Sequence, residues 1–202
     1  GMRFHMRLVI RPGDQIARQR MTDRLRVCIV QITLNTLTET FIRAHAERLP
    51  SENTVVHNVN GSPTIEDRAV MSQSVVARGI RSAKRLIGKT SAEGQTTQAY
   101  IQAFRQIEPD VVLAEYGPIG VAVCAACRAT NIPLVVHFHG YDATKHETIK
   151  EFGEAYREMF RSASVVAVSR AMRKQLIELG SLPERTHLNV YGIDCQNFDK
   201  AE

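Results

Sequence analysis

No apolar run in this 202-residue chain approaches the ~18–20 residues needed to span a bilayer as a helix, so a transmembrane protein is not expected. No secretory leader precedes the four cysteines, Cys28, Cys124, Cys127 and Cys195, which points to free thiols in a reducing, cytoplasmic setting. Most of the chain also lacks a charge of one sign. Residues 1–26 carry Arg3, Arg7, Arg11, Arg18, Arg20, Arg24 and Arg26 against Asp14 and Asp23, and that segment accounts for the whole net charge of +5. The remainder is neutral, so nucleic-acid binding by the body is not expected. Internal repeats and low-complexity tracts are missing too. With 44% hydrophobic and 23% charged residues, the composition is that of a globular domain long enough to bury a core.

Residues 1–24 form a basic leader or extension, with a short candidate strand at 4–10 ended by Pro12-Gly13. Asp14, Asp23 and the absence of serine argue against a transit peptide. From residue 25 the pattern alternates. Short aliphatic runs at 25–30, 54–59, 110–114, 133–137, 164–168 and 187–190 predict strands. Between them, helices are predicted over 38–49, 65–87, 94–107, 118–130, 148–161 and 169–179, with a break at 88–94. The second strand is expected to close at Asn60-Gly61-Ser62-Pro63. Aliphatic runs alternating with helices predict an α/β fold: a doubly wound, Rossmann-like domain with a mostly parallel sheet and helices on both faces.

No glycine stands between Gly13 and Gly61, so the loop after the first strand lacks the Gly-x-Gly-x-x-Gly of a dinucleotide site. Thr38 stands there instead, able to cap the following helix while its free amides receive an anion or a sugar hydroxyl. Cys124 and Cys127 share a helix face, but mid-helix among small apolar residues, where packing is favoured over redox or zinc chemistry. Residues 75–89 place Arg78, Arg81, Lys84, Arg85 and Lys89 opposite Val76, Ile80, Ala83 and Ile87. Such a helix is solvated on one side or rests peripherally on an anionic membrane.

The stretch 133–142 holds most of the chemistry. Its strand delivers His137-Phe138-His139-Gly140-Tyr141-Asp142 at the carboxyl end, where open α/β sheets bind ligands. His137 and His139 face the same way, and with Asp142 and His146 they invite a zinc reading that no separated ligand cluster supports. His137 is expected in the core. His139 precedes a glycine that permits close approach or a positive φ, and its imidazole can donate to a substrate oxygen or shuttle a proton. Asp142 can accept from sugar hydroxyls or cap the next helix.

Five features in order resemble the amino-terminal half of family 4 glycosyltransferases of the GT-B fold. They are Thr38-Glu39-Thr40-Phe41-Ile42; Asp110-Val111-Val112-Leu113-Ala114 leading to Tyr116-Gly117; His139-Gly140-Tyr141-Asp142; Ala167-Val168-Ser169 with Leu179-Gly180; and Tyr191-Gly192-Ile193-Asp194 with Phe198. The likeness covers residues 26–198 and is nearest to bacterial enzymes of exopolysaccharide or lipid-linked oligosaccharide synthesis. It implies retaining transfer of a hexose from a nucleotide-sugar donor to a glycan or lipid-linked acceptor, with no cofactor and no metal. It implies an acceptor-side domain at 25–194, the start of an interdomain linker at 195–202, and a donor-binding half that this chain does not contain, which would leave it inactive alone. By matching position, His139 would be the catalytic-site residue, with Thr38, Gly140, Asp142 and Ser169 bordering the donor cleft. Two positions differ from the family pattern: the first loop has no glycine pair, and Tyr191 replaces the usual asparagine. Two other classes compete with this reading, a flavodoxin-like binding module and a thiol redox protein. The mid-helix placement of the cysteines disfavours the second.

Overall fold

The computed structural model describes residues 24–32, 40–59, 62–65, 68–69 and 92–192. In chain order the elements are β1 (Arg26–Gln31), α1 (Thr40–Arg48), β2 (Glu52–Val59), β3 (Ser62–Ile65), β4 (Arg68–Ala69), α2 (Ala92–Ile107), β5 (Val111–Glu115) and α3 (Gly117–Thr130). They continue with β6 (Leu134–Phe138), α4 (Tyr141–Thr144), α5 (His146–Phe160), β7 (Ser164–Ala167), α6 (Arg170–Glu178), a 3-10 turn (Pro183–Arg185) and β8 (Thr186–Leu188). Among the described residues the strands form one sheet in the order β4-β3-β2-β1-β5-β6-β7-β8. All neighbours from β2 through β8 pair in parallel, and β3 and β4 extend the sheet antiparallel. The expected doubly wound, mostly parallel α/β fold is what forms.

One expectation fails. The helix predicted from residue 65 does not begin there, because Ser62–Ile65 and Arg68–Ala69 are strands. Val59 pairs with Ser62, leaving a two-residue connection whose sequence is Asn-Gly, the pair favoured in tight hairpins. That sequence marks a hairpin as well as a strand end. Strands of four and two residues are too short to show a period. The leader at 1–23, Thr38, the basic stretch at 75–89 and residues 193–202 lie outside the described residues.

Alternation along the central strands divides the core in two. Cys28, Val30, Val112, Ala114, Val136, Phe138, Val165 and Ala167 join the larger cluster with Tyr100 and Phe104 of α2, Val123 of α3 and Tyr156 and Met159 of α5. Val27, Ile29, Val111, Val135 and Val166 face the other way, against Ala46 of α1 and Leu49. Each buried aromatic ring removes roughly 150–250 Å² from water, so Tyr100, Phe104, Phe138, Tyr156 and Phe160 anchor the first face. Local signals set the helix ends. Pro118 stands in the first turn of α3, Asn131 closes it in the left-handed region at φ 56°, and the Ser169 hydroxyl caps α6 by accepting from the Met172 amide at 3.1 Å.

Candidate active site

Period-two arithmetic on two adjacent strands builds the site. Val111, Leu113 and Glu115 share one face of β5, and Val135, His137 and His139 follow the matching face of β6. The parallel register sets Glu115 opposite His137. Val111, Leu113 and Val135 pack on the α1 side of the sheet, so the polar residues ending these rows emerge there as well. His45 of α1 meets them.

Glu115 is fully buried, and both of its oxygens are taken. His45 Nδ1 lies 2.8 Å from Oε1, His139 Nε2 lies 2.7 Å from Oε2, and His137 Nδ1 lies 3.5 Å from Oε2. Burial works to raise the pKa of this carboxyl. Hydrogen bonds from His137, His139 and His45 outweigh it and hold the group well below the usual carboxylate range. Burial lowers the pKa of His137; the hydrogen bond to Glu115 opposes that shift, and the neighbouring His139 and His45 add to it. The Nε2 atom of His137 is buried without a hydrogen-bond partner.

The turn that carries His139 is held by Asp142. Its carboxylate is fully buried and accepts the amides of Gly117 at 3.0 Å, His139 at 3.0 Å and Gly140 at 2.9 Å. The carboxylate is thereby committed to backbone amides around the turn, and no side chain caps the helix that follows. Gly140 adopts φ 151°, a conformation that side chains rarely take, although a Cβ there would meet open space. Tyr116 is also strained, with φ 80° and ψ 145° at the start of α3. Its ring lies 4.5 Å from that of His139.

His139 stands at the strand tip, as expected, but its side chain is only 3% exposed. Phe41 stacks on it at 4.5 Å, and the Tyr191 hydroxyl hydrogen-bonds its Nδ1. His139, Gly140 and Asp142 are therefore brought together, while Ser169 sits at the end of β7 as a helix cap. His137 is buried as expected, but in the polar cluster and not in the aliphatic core. The sequence reading missed Glu115 and the part played by His45. The signal was present in the alternation of β5, which sets Glu115 two residues past Leu113 on one face.

His45, Glu115 and His137 offer ligand atoms within 4.8 Å of one another, a donor set able to hold a metal ion. The carboxylate oxygens are hydrogen-bonded at 2.7 and 2.8 Å in a carboxylate–imidazole network that leaves His137 Nε2 without a partner. Cys124 and Cys127 are buried free thiols, and burial pushes the Cys127 pKa upward, away from thiolate chemistry.

A doubly wound sheet with a polar cluster at its carboxyl edge defines a Rossmann-like domain, and solved structures share that fold. HepE of Anabaena in complex with UDP superposes with a TM-score of 0.58 at 18% identity, over 85% of this chain and 45% of HepE. Its complex with UDP-glucose gives 0.57 at 15% identity, over 86% and 45%. UDP-N-acetylglucosamine 2-epimerase of Rickettsia bellii gives 0.51 at 13%, over 82% and 44%. The chain thus spans less than half the length of these neighbours. Residues 38–197 match Glycosyltransferase Family 4, and the chain belongs to that family. No curated protein matches it in sequence.

Proposed function

We propose that this chain is the acceptor-side domain of a retaining glycosyltransferase that moves a hexose from a nucleotide sugar to a glycan or lipid-linked acceptor. What supports the reading is the turn at His139-Gly140, seated on the Glu115 cluster at the carboxyl edge of the sheet, in a chain whose residues 38–197 match the family. In such a transfer the bond from the sugar to the phosphate breaks. A bond to the acceptor oxygen forms on the same face of the sugar, and the acceptor proton leaves with the nucleoside diphosphate. His139 is the side chain assigned to the sugar, Gly140 allows its approach, and Asp142 holds the turn. Thr38 and Ser169 border the donor cleft.

Under this reading the domain does not itself grip the nucleotide, so alone it is inactive and binds donors weakly. Uridine diphosphate sugars are the first donors to test, because HepE has been seen with UDP-glucose. A polysaccharide or lipid-linked product also fits the basic stretch 75–89, which can rest on an anionic membrane surface. Among the described residues no helix is long and apolar enough to cross a membrane.

Calorimetric titration of the chain with UDP-glucose and other nucleotide sugars should show no tight binding. A saturable, tight isotherm would overturn the division of labour. In a full-length relative, replacing the equivalent of His139 by alanine should cut transfer by about 100-fold or more while leaving the fold intact. Unchanged turnover would remove His139 from the chemistry.

A further inference from the structure

We propose that Glu115 is the positioning residue of this site, fixing His139 in the Nε2–H tautomer so that Nδ1 accepts a hydroxyl of the bound sugar. This rests on the reading of the site as one for sugar transfer, and it decides which way the imidazole works. His139 then acts as a hydroxyl acceptor and not as a donor to phosphate.

The geometry supports it at each step. An ionised carboxylate has no proton to give, so the nitrogen 2.7 Å from Glu115 Oε2 must carry the hydrogen. That nitrogen is Nε2, and in the neutral ring Nδ1 keeps its lone pair. The ring is confined as well. Its backbone amide is tied to Asp142 Oδ1 at 3.0 Å, Phe41 stacks on it at 4.5 Å, and Tyr116 lies 4.5 Å to another side. Nδ1 already shows the partner it selects, which is the hydroxyl of Tyr191. Burial first, then the negative charges of Glu115, Tyr116 and Asp142, raises the Tyr191 pKa above its ordinary value, so that hydroxyl keeps its proton and donates it. Tyr191 thus occupies the place of a substrate hydroxyl, and a sugar reaching His139 must displace it. A phosphate, which only accepts, has no hydrogen to offer an unprotonated Nδ1.

The test is a long-range proton–nitrogen correlation spectrum of the chain labelled with 15N-histidine, recorded in mildly alkaline buffer and assigned by single histidine substitutions. The expected result is a proton on His139 Nε2, retained in Tyr191→Phe and in Glu115→Asp, with that signature lost in Glu115→Leu, which has no acceptor. A proton on Nδ1 in the unsubstituted chain overturns the proposal, as does an unchanged tautomer in folded Glu115→Leu. Should Glu115→Leu fail to fold, Tyr191→Phe still decides. Loss of the Nε2–H signature there would make the tyrosine, not the carboxylate, the group that sets the tautomer. Neither donor nor acceptor is present in this measurement. An Nε2–H result together with unchanged transfer when the equivalent of His139 is replaced by alanine in a full-length relative would remove the function proposed above and leave Glu115 setting the tautomer, whereas an Nδ1–H result would overturn the tautomer and leave that function standing.

Discussion

Glu115 and His137 couple the site to the stability of the domain. The Glu115 carboxyl is held below its unfolded value of about 4.3, so the unfolded chain binds the extra proton, and this stabilisation is full above that pH and declines as pH falls. His137 is held below its unfolded value of about 6.5, so acidification through that range also favours the unfolded chain. Both signs agree. The urea midpoint should therefore be lower at about pH 5.5 than at about pH 7.5, a window that spans the unfolded histidine value, and His137→Phe should flatten the difference. An identical drop in both proteins would place its source elsewhere. Asp142→Ala leaves three backbone amides without their charged acceptor and should cost on the order of 3 kcal/mol in urea unfolding. A negligible change would mean that the turn holds itself. The sequence made His139, Gly140 and Asp142 visible because glycine and polar residues stand out at the end of an aliphatic run. It hid Glu115 because a lone acid at a strand end looks solvated until the register brings His137 beside it and α1 lays His45 above it.

Elements meet closely where α3 crosses β6 and α5. A Cβ built on Gly117 would lie 2.5 Å from Phe138 Cε1 and 2.6 Å from the Tyr156 hydroxyl oxygen, both fully buried side chains. Gly117→Ala should therefore destabilise by about 1–3 kcal/mol, since overpacking outweighs the helix propensity it adds. Gly153 lies inside α5 with its nearest atom, Ile149 Cγ2, at 3.8 Å, an ordinary contact. Gly153→Ala should stabilise by about 0.5–1 kcal/mol. Thermal unfolding of the pair reads both signs, and two changes of the same sign would refute the packing account. The element order from β5 onward was legible because runs such as 111–115 and 134–138 alternate with helices carrying their own caps. Ser62–Ile65 escaped because proline and a turn sequence resemble a loop until the strand has a partner to pair with.

Across the whole molecule, the site draws its rigidity from the middle of the sheet. β5 and β6 carry Glu115 and lead into His139, and each is hydrogen-bonded on both sides, β5 to β1 and β6, β6 to β5 and β7. Every residue of β6 is buried. At the far margin, β3 and β4 are short and antiparallel, with Thr64 and Ile65 only half-buried. Local opening should therefore begin at that margin, because amides that open with little loss of buried contact exchange at low free energy, while core strands exchange only on global unfolding. Native-state hydrogen exchange should show Val112, Leu113, Val135 and Val136 protected close to the global limit, with Thr64 and Ile65 well below it. The distinction matters for the chemistry: a carboxylate that must hold an imidazole ring within a few tenths of an ångström needs strands that do not open on their own. Equal protection across β3, β5 and β6 would mean that the sheet opens as one unit.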